Sequence, residues 1–280
     1  MKLSTDLEYH VHSFEVPFLK KLKEFGYDAV DFCFHPLVFV DGKEEKIIAE
    51  IKENLDAAGL ACSQVHLPFY DLTLPSNCYD EFVEHQMRGA FKAMTTLGAK
   101  WGAWHPVSAT ECGHDRKVAM KANQEMLKRH LSYAEKYDVG IAVENIFAPF
   151  FSWQVEDHIE LIESMNSPLV GACWDFGHAN LQVSERGHVE DFKMIVDKIK
   201  ILHVNDNHAR EDRHLCPGIG TAKFNELLPI LFSSGFDGYF NMECGTPRRR
   251  EDITLSYYDF IAKCARILID EAQETLRVGK

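Results

Sequence analysis

The sequence predicts an α/β fold, a (β/α)8 TIM barrel forming a single domain over residues 1–280. Three observations predict it. Short runs rich in β-branched and aromatic residues alternate with longer amphipathic stretches, the pattern of repeated strand–helix units. Sharing 280 residues among eight such units leaves about 35 each, room for a strand, a helix and their loops. No Pro/Ser-rich or low-complexity stretch marks a linker. An open doubly wound sheet fits less well, because His12 is followed by Ser13-Phe14-Glu15 and not by a glycine-rich phosphate loop.

The elements follow in order. The first strand is expected at Leu7–His12 with a helix at Val16–Phe25, and the second strand at Ala29–Phe34 with a helix at Glu44–Ala58. The third and fourth pairs are Ala61–His66 with Tyr79–Leu97, and Trp101–His105 with Val118–Tyr137. The fifth and sixth are Gly140–Glu144 with Val155–Met165, and Val170–Asp175 with Val189–Lys198. The last two are Ile201–Asn205 with Asn225–Ser233, and Gly238–Glu243 with Glu251–Leu276. Gly26, Gly98 and Gly235 stand where helix C-caps lead into the next strand.

Composition narrows the function. With 46% hydrophobic and 26% charged residues the chain is neither disordered nor collagen-like. The longest apolar runs fall short of the ~18 residues that span a bilayer, and the start MKLSTDLEYHVH has no apolar signal core, so no membrane association and a cytoplasmic location are expected. The eight cysteines form no CxxC pair and sit in apolar contexts, as reduced small hydrophobes do. A net charge of −13 disfavours a nucleic-acid partner.

The strand ends carry the chemistry. Catalytic groups of this fold project from the C-terminal ends of the strands. Here those ends place His12, His35, His66, His105, Glu144, Asp175, His203 and Glu243 at one mouth. Carboxylates at a barrel mouth are costly to bury unless paired or metal-bound, so a metal site is expected. Mixed imidazole and carboxylate ligands suit Zn or Mn first, then Co or Fe, with Mg a weaker fit. After the seventh strand, Asp212-x-His214 has a spacing that presents two ligands to one ion, and His178 follows Asp175 by three residues. Phe34, Phe69, Trp101, Trp104 and Trp174 near strand ends are core candidates that could also wall a pocket. His10-Val11-His12 leaves open an amidohydrolase-type site, since two such side chains share one strand face.

Taken together, VEN at 143–145, WDFGH at 174–178, HVNDN at 203–207, DRHLCPGIG at 212–220 and MECG at 242–245 give the chain a resemblance to the xylose-isomerase-like barrel superfamily. That superfamily holds sugar-phosphate isomerases and epimerases together with endonuclease IV. The resemblance implies metal ligands at Glu144, Asp175, His203 and Glu243, with Glu144 and Glu243 as the catalytic acid and base. The endonuclease branch, which uses nine ligands for three zinc ions, is similar at His66, His105, His178, Asp212 and His214 as well, so one to three ions are implied. VHLPF at 65–69 and the DRHLCPGIG loop resemble the sugar branch.

The expected function is therefore a divalent-metal-dependent isomerase or epimerase of a sugar or sugar phosphate. It would abstract a proton beside a carbonyl through a metal-stabilised enediolate. Substrate contacts are expected from His178, Arg210, Arg213 and His12, and a phosphate contact could come from the run Arg248-Arg249-Arg250. The alternatives are a zinc phosphodiesterase acting on abasic DNA and a dehydratase of the inositol-catabolism type. A homo-oligomer is compatible with the resemblance.

Overall fold

The computed structural model describes the chain except for residues 9–12, 35, 40–41, 69–80, 108–114, 149–150, 153, 182–183, 248–249 and 279–280. Eight parallel strands form one sheet: β1 (Leu3–Glu8), β2 (Ala29–Cys33), β3 (Ala61–His66), β4 (Trp101–Trp104), β5 (Gly140–Glu144), β6 (Val170–Asp175), β7 (Ile199–His203) and β8 (Phe240–Met242). Strands β1 to β7 neighbour one another in sequence order, and β8 pairs with β1. The seam between β7 and β8 is joined by a parallel bridge, Val204 to Met242, with Val204 N donating to Asn241 O and Glu243 N to Val204 O. The barrel is nearly closed, as expected.

The helices are α1 (Val16–Glu24), α2 (Glu44–Ala58), α3 (Glu81–Leu97), α4 (Arg116–Tyr137), α5 (Val155–Ser164), α6 (Phe176–Leu181), α7 (His188–Ile195), α8 (Phe224–Ser233) and α9 (Glu251–Val278). Each longer helix lays an apolar face on the outside of the barrel. Leu19 and Leu22 of α1, Ile48, Ile51 and Leu55 of α2, and Ile261, Ala265 and Ile269 of α9 are buried in one continuous cluster.

Side chains alternate across a strand, so every second residue enters the barrel. The interior divides into two halves. On β4 to β7 it is apolar, with Ala103, Ala142, Cys173 and Ile201 packed as a separate small cluster. On β8 and β1 to β3 it is polar: Asn241, Ser4, Asp31 and Gln64 are all buried. One strand repeat further along lie Glu243, Asp6, Cys33, His66, His105, Glu144, Asp175 and His203. The site is thus the next layer of the barrel interior.

Two expectations are corrected. The first strand runs Leu3–Glu8, not Leu7–His12. Its pairing with Ala29–Cys33 and Phe240–Met242 sets that register, and the LSTDLE segment hides its strand character behind inward-facing Ser4, Asp6 and Glu8. The six-residue α6 directly after β6 was not foreseen, being too short to show a helical period.

Two histidines outside the mouth tie helices to strands. Trp104 Nε1 donates to His130 Nδ1 (2.9 Å), and His158 Nε2 donates to Val143 O (2.7 Å) beside Glu144. Burial pushes both rings down from the ordinary 6.5 to about 4. Between those values the unfolded chain binds protons that the folded chain refuses, so stability is full above pH 6.5 and falls as pH drops toward 4. Each ring is expected to contribute a loss of about 2 kcal/mol at pH 5. Urea unfolding at pH 7 and 5, repeated on His130→Gln and His158→Gln, checks this; the variants should lose part of the acid sensitivity.

Candidate metal centre and active site

The motif residues divide into groups that face the cavity and groups that hold them. In VEN, Glu144 faces in. Asn145 clamps the neighbouring strand: its Nδ2 donates to Asp175 O (2.9 Å) and its Oδ1 accepts from Asp175 N (2.7 Å). In WDFGH, Asp175 Oδ1 accepts from His178 N (2.6 Å) and so starts α6, which turns His178 back over the mouth. Gly177 is required by crowding, because a Cβ there would stand 1.8 Å from Asn205 Oδ1.

HVNDN serves four tasks. His203 faces the site, and Asn205 Nδ2 donates to Asp175 Oδ2 (2.7 Å). Asn207 Nδ2 donates to Gly177 O (2.7 Å), which docks α6. Asp206 organises the loop that follows. Its Oδ2 accepts from Gly218 N (2.9 Å) and Gly220 N (2.8 Å), and its Oδ1 from Asn207 N (2.8 Å) and Ala222 N (3.0 Å). The glycines of the DRHLCPGIG loop therefore let its backbone wrap one carboxylate. A Cβ at Gly220 would meet Asn207 O at 2.1 Å. Leu215 bridges Asp206 in antiparallel fashion, and just before it Asp212 and His214, the latter at a φ of 46°, line the cavity. Asp206→Asn puts an amide against these N–H donors; we expect a loss of about 3 kcal/mol or more in stability, and faster proteolysis of the loop.

Two expected substrate contacts stand apart from the cavity. Arg210 and Arg213 are exposed and outside the cavity lining, and Arg213 pairs with Glu211 (3.2 Å). His12, His10, His35, Phe69, Arg248 and Arg249 lie outside the described residues. Arg250 is exposed and paired with Asp252. Trp104 and Trp174 are core, whereas Phe34 lines the cavity.

All nine residues of the fuller ligand set converge. His203 Nδ1 is 3.1 Å from Glu144 Oε1 and 3.4 Å from Glu243 Oε2. His105 Nε2 is 3.0 Å from Glu144 Oε2, and His66 Nε2 is 3.2 Å from His105 Nε2. His66 Nδ1 donates to Leu67 O (3.0 Å), which leaves Nε2 facing inward. Above them, Asp212 Oδ2 lies 3.4 Å from His178 Nε2 and 3.0 Å from His214 Nε2. Five overlapping groups result among the described residues: Glu144–Asp175–His203–Glu243, His66–His105–Glu144, His178–Asp212–His214, His66–His203–Glu243 and Glu144–Cys173–His203. In each, the ligand atoms lie within 4.8 Å of one another. They open into a cavity of about 360 Å³, whose lining includes Ile146 and Phe147 and also Asp6, Glu8 and Cys33. Continuing the inward period of Ser4 and Asp31 by two residues would have found Asp6 and Cys33, and two residues more on the first strand Glu8.

The electrostatics of the site suit a cation. Among the described residues no Lys or Arg lines the cavity, while Asp6, Glu8, Glu144, Asp212 and Glu243 do. Glu144 Oε2, Asp212 Oδ1 and, on the side of the cluster, His203 Nδ1 are buried without a well-formed hydrogen bond, despite the close approaches just given. Such atoms are costly unless something else satisfies them. A divalent cation would do so, and the chemistry of the N/O donor set is of the kind that suits Zn or Mn better than Ca or Mg. Without a cation the histidines carry the compensating charge. Burial lowers the pKa of His203, His178 and His214, but their neighbours outweigh it, Cys173 with Glu243 and Glu144 at His203 and the carboxylates at the other two; His214 is raised to about 10. Burial raises Glu144, yet His203 and His105 hold it well below the carboxylate range. His66 goes the other way, to about 4, through burial and its neighbour His105.

Comparison with known proteins agrees with this architecture. Residues 19–264 match the model of the xylose isomerase-like TIM barrel family, and the chain belongs to that family. Fructoselysine 3-epimerase of Escherichia coli O157:H7 is 24% identical over 242 residues, covering 80% of this chain and 82% of that protein. A probable endonuclease 4 of Mesomycoplasma hyopneumoniae is 23% identical over 182 residues, covering 61% of this chain and 65% of that protein. Among solved structures, a D-tagatose 3-epimerase-like protein superposes with a TM-score of 0.76 at 23% identity, covering 100% of this chain and 99% of that one. An IOLI protein with a bound zinc atom also gives 0.76, at 19% identity, over 97% of this chain and 99% of that one.

Proposed function

We propose that the protein is a divalent-metal-dependent epimerase or isomerase of a ketose or ketose phosphate. The observation that carries this reading is the placement of Glu144 and Glu243. They stand at the ends of β5 and after β8, both line one cavity, and both reach His203 Nδ1 (3.1 and 3.4 Å). Glu144, Asp175, His203 and Glu243 would hold the cation, which supplies Lewis acidity toward a carbonyl and its neighbouring hydroxyl when bound.

The chain's own groups handle the proton. One glutamate removes it from the carbon beside the carbonyl, and the other returns it from the opposite side or to the adjacent carbon. The first outcome is an epimer, the second an aldose–ketose isomer. Asn205 holds Asp175, and Asn145 holds the strand end that bears it, so the carboxylates keep their places through the exchange. Phe34, Ile146 and Phe147 give the cavity apolar wall that limits water access. A volume of about 360 Å³ suits one small molecule.

The convergence of nine ligands into several overlapping groups favours a second reading, a multi-zinc phosphodiesterase acting on abasic DNA. Product analysis separates the two. Zn- or Mn-loaded protein incubated with free and phosphorylated ketoses is expected to give a product of unchanged mass and altered configuration by 13C NMR. A product lighter by one water would assign a dehydratase. Nicking of abasic duplex DNA with every ketose untouched would establish the second reading instead.

A further inference from the structure

Beneath the ligand layer, on the polar side of the barrel interior, lies a carboxylate that the proton transfer does not use. Asp31 of β2 is buried, and no Lys or Arg pairs with it among the described residues. Its Oδ2 accepts from Gln64 Nε2 (2.8 Å) and Asn241 Nδ2 (2.9 Å) and lies 3.6 Å from His203 Nε2. Both amides are themselves fixed. Gln64 Nε2 also donates to Leu202 O (3.2 Å), the carbonyl preceding His203. Asn241 Oδ1 accepts from Ser4 Oγ (2.5 Å), which accepts from Ser63 Oγ (3.0 Å). Contacts from β1, β3 and β8 therefore set the position of one carboxylate oxygen against one imidazole nitrogen.

An ionised carboxylate only accepts hydrogen bonds. A neutral imidazole carries one N–H and one lone pair, and the group facing one nitrogen decides the role of the other. On His203, Nδ1 is the nitrogen turned to Glu144 and Glu243, while Nε2 is turned to Asp31. The His66 ring stacks on His203 at 5.4 Å with 12° between planes and limits its rotation.

We infer that Asp31 is a positioning residue for the cation: it keeps the His203 proton on Nε2, so that the Nδ1 lone pair faces the ligand cluster. This rests on the metal reading above and assigns a task to a buried polar network that packing alone does not need. Carboxylate partners of this kind orient a ligating histidine and raise its basicity, and losing one typically costs 10–100-fold in metal affinity.

Long-range 1H–15N NMR of the zinc-loaded protein, with the His203 resonances assigned by their loss in His203→Gln, tests this directly. The expected spectrum shows His203 protonated at Nε2 and ligated through Nδ1. In Asp31→Asn, zinc affinity by chelator competition should fall about 10–100-fold, and the Nε2–H signature should weaken with the circular dichroism unchanged. Ligation through Nε2 in the wild type, or an Asp31→Asn protein with wild-type tautomer and affinity, would overturn the inference. Should Asp31→Asn fail to fold, the wild-type spectrum alone decides. A wild type that binds no zinc removes the metal reading and this inference together, whereas zinc held through the other nitrogen removes only the inference.

Discussion

Glu144→Gln should abolish turnover and weaken the cation site more than any other single substitution. Its two oxygens serve two ligand groups at once. Oε1 stands 3.1 Å from His203 Nδ1 and 3.3 Å from His178 Nδ1, and Oε2 stands 3.0 Å from His105 Nε2. An amide removes the charge and turns a donor toward nitrogens that need an acceptor or share a cation. Breaking a buried charge cluster at one member costs about 3–5 kcal/mol, so cation affinity should drop about 10²-fold or more. The lost acid–base group should cost on the order of 10²–10⁴ in rate. Glu211→Gln, on the exposed side of the same mouth, is the control; it pairs with Arg213 and should change neither quantity. Isothermal titration with Zn and steady-state rates on the best ketose check both.

Stripping the cation is expected to lower the melting temperature by about 8–16 °C, taking a ligand held at about a thousand times its Kd. Adding Zn or Mn back should restore it, and Mg less so, since imidazole donors suit the harder ion poorly. The size of the effect should grow with pH, and the sign follows from the histidines. In the metal-free protein His178, His203 and His214 are raised above 6.5 by their carboxylate neighbours. Their contribution is fully present below pH 6.5 and is lost as pH rises through the folded values, about 10 for His214. The loaded protein needs those rings neutral and does not share that loss. Melting curves with and without chelator should therefore diverge between pH 6.5 and 9. Parallel curves would mean that these rings do not meet the cation.

Much of this site was legible because a strand advertises its inward face. His66, Glu144, Asp175, His203 and Glu243 each stand two residues beyond a buried interior position on the same strand. What stayed hidden depends on contacts far along the chain. Ser4 and Asn241 meet across 237 residues, and Asp31 meets Asn241 across 210, so the polar half of the barrel has no local signature. Asp6 and Glu8 were missed because the first strand is polar enough to read as a loop. Nothing local in the sequence tells Arg210 and Arg213, which are exposed, from their neighbours Asp212 and His214, which line the cavity. The second asparagine of HVNDN and the glycine of WDFGH acquire meaning only once α6 exists, and a six-residue helix leaves no period to find.

The central claim is that two glutamates around a cation exchange a proton beside a carbonyl. Deuterium uptake from D2O, followed by 1H NMR on ketoses with metal-loaded protein, tests it most directly. The expected result is loss of the proton signal at the carbon next to the carbonyl, and no loss with Glu144→Gln or Glu243→Gln. Uptake that persists unchanged in both variants would contradict it.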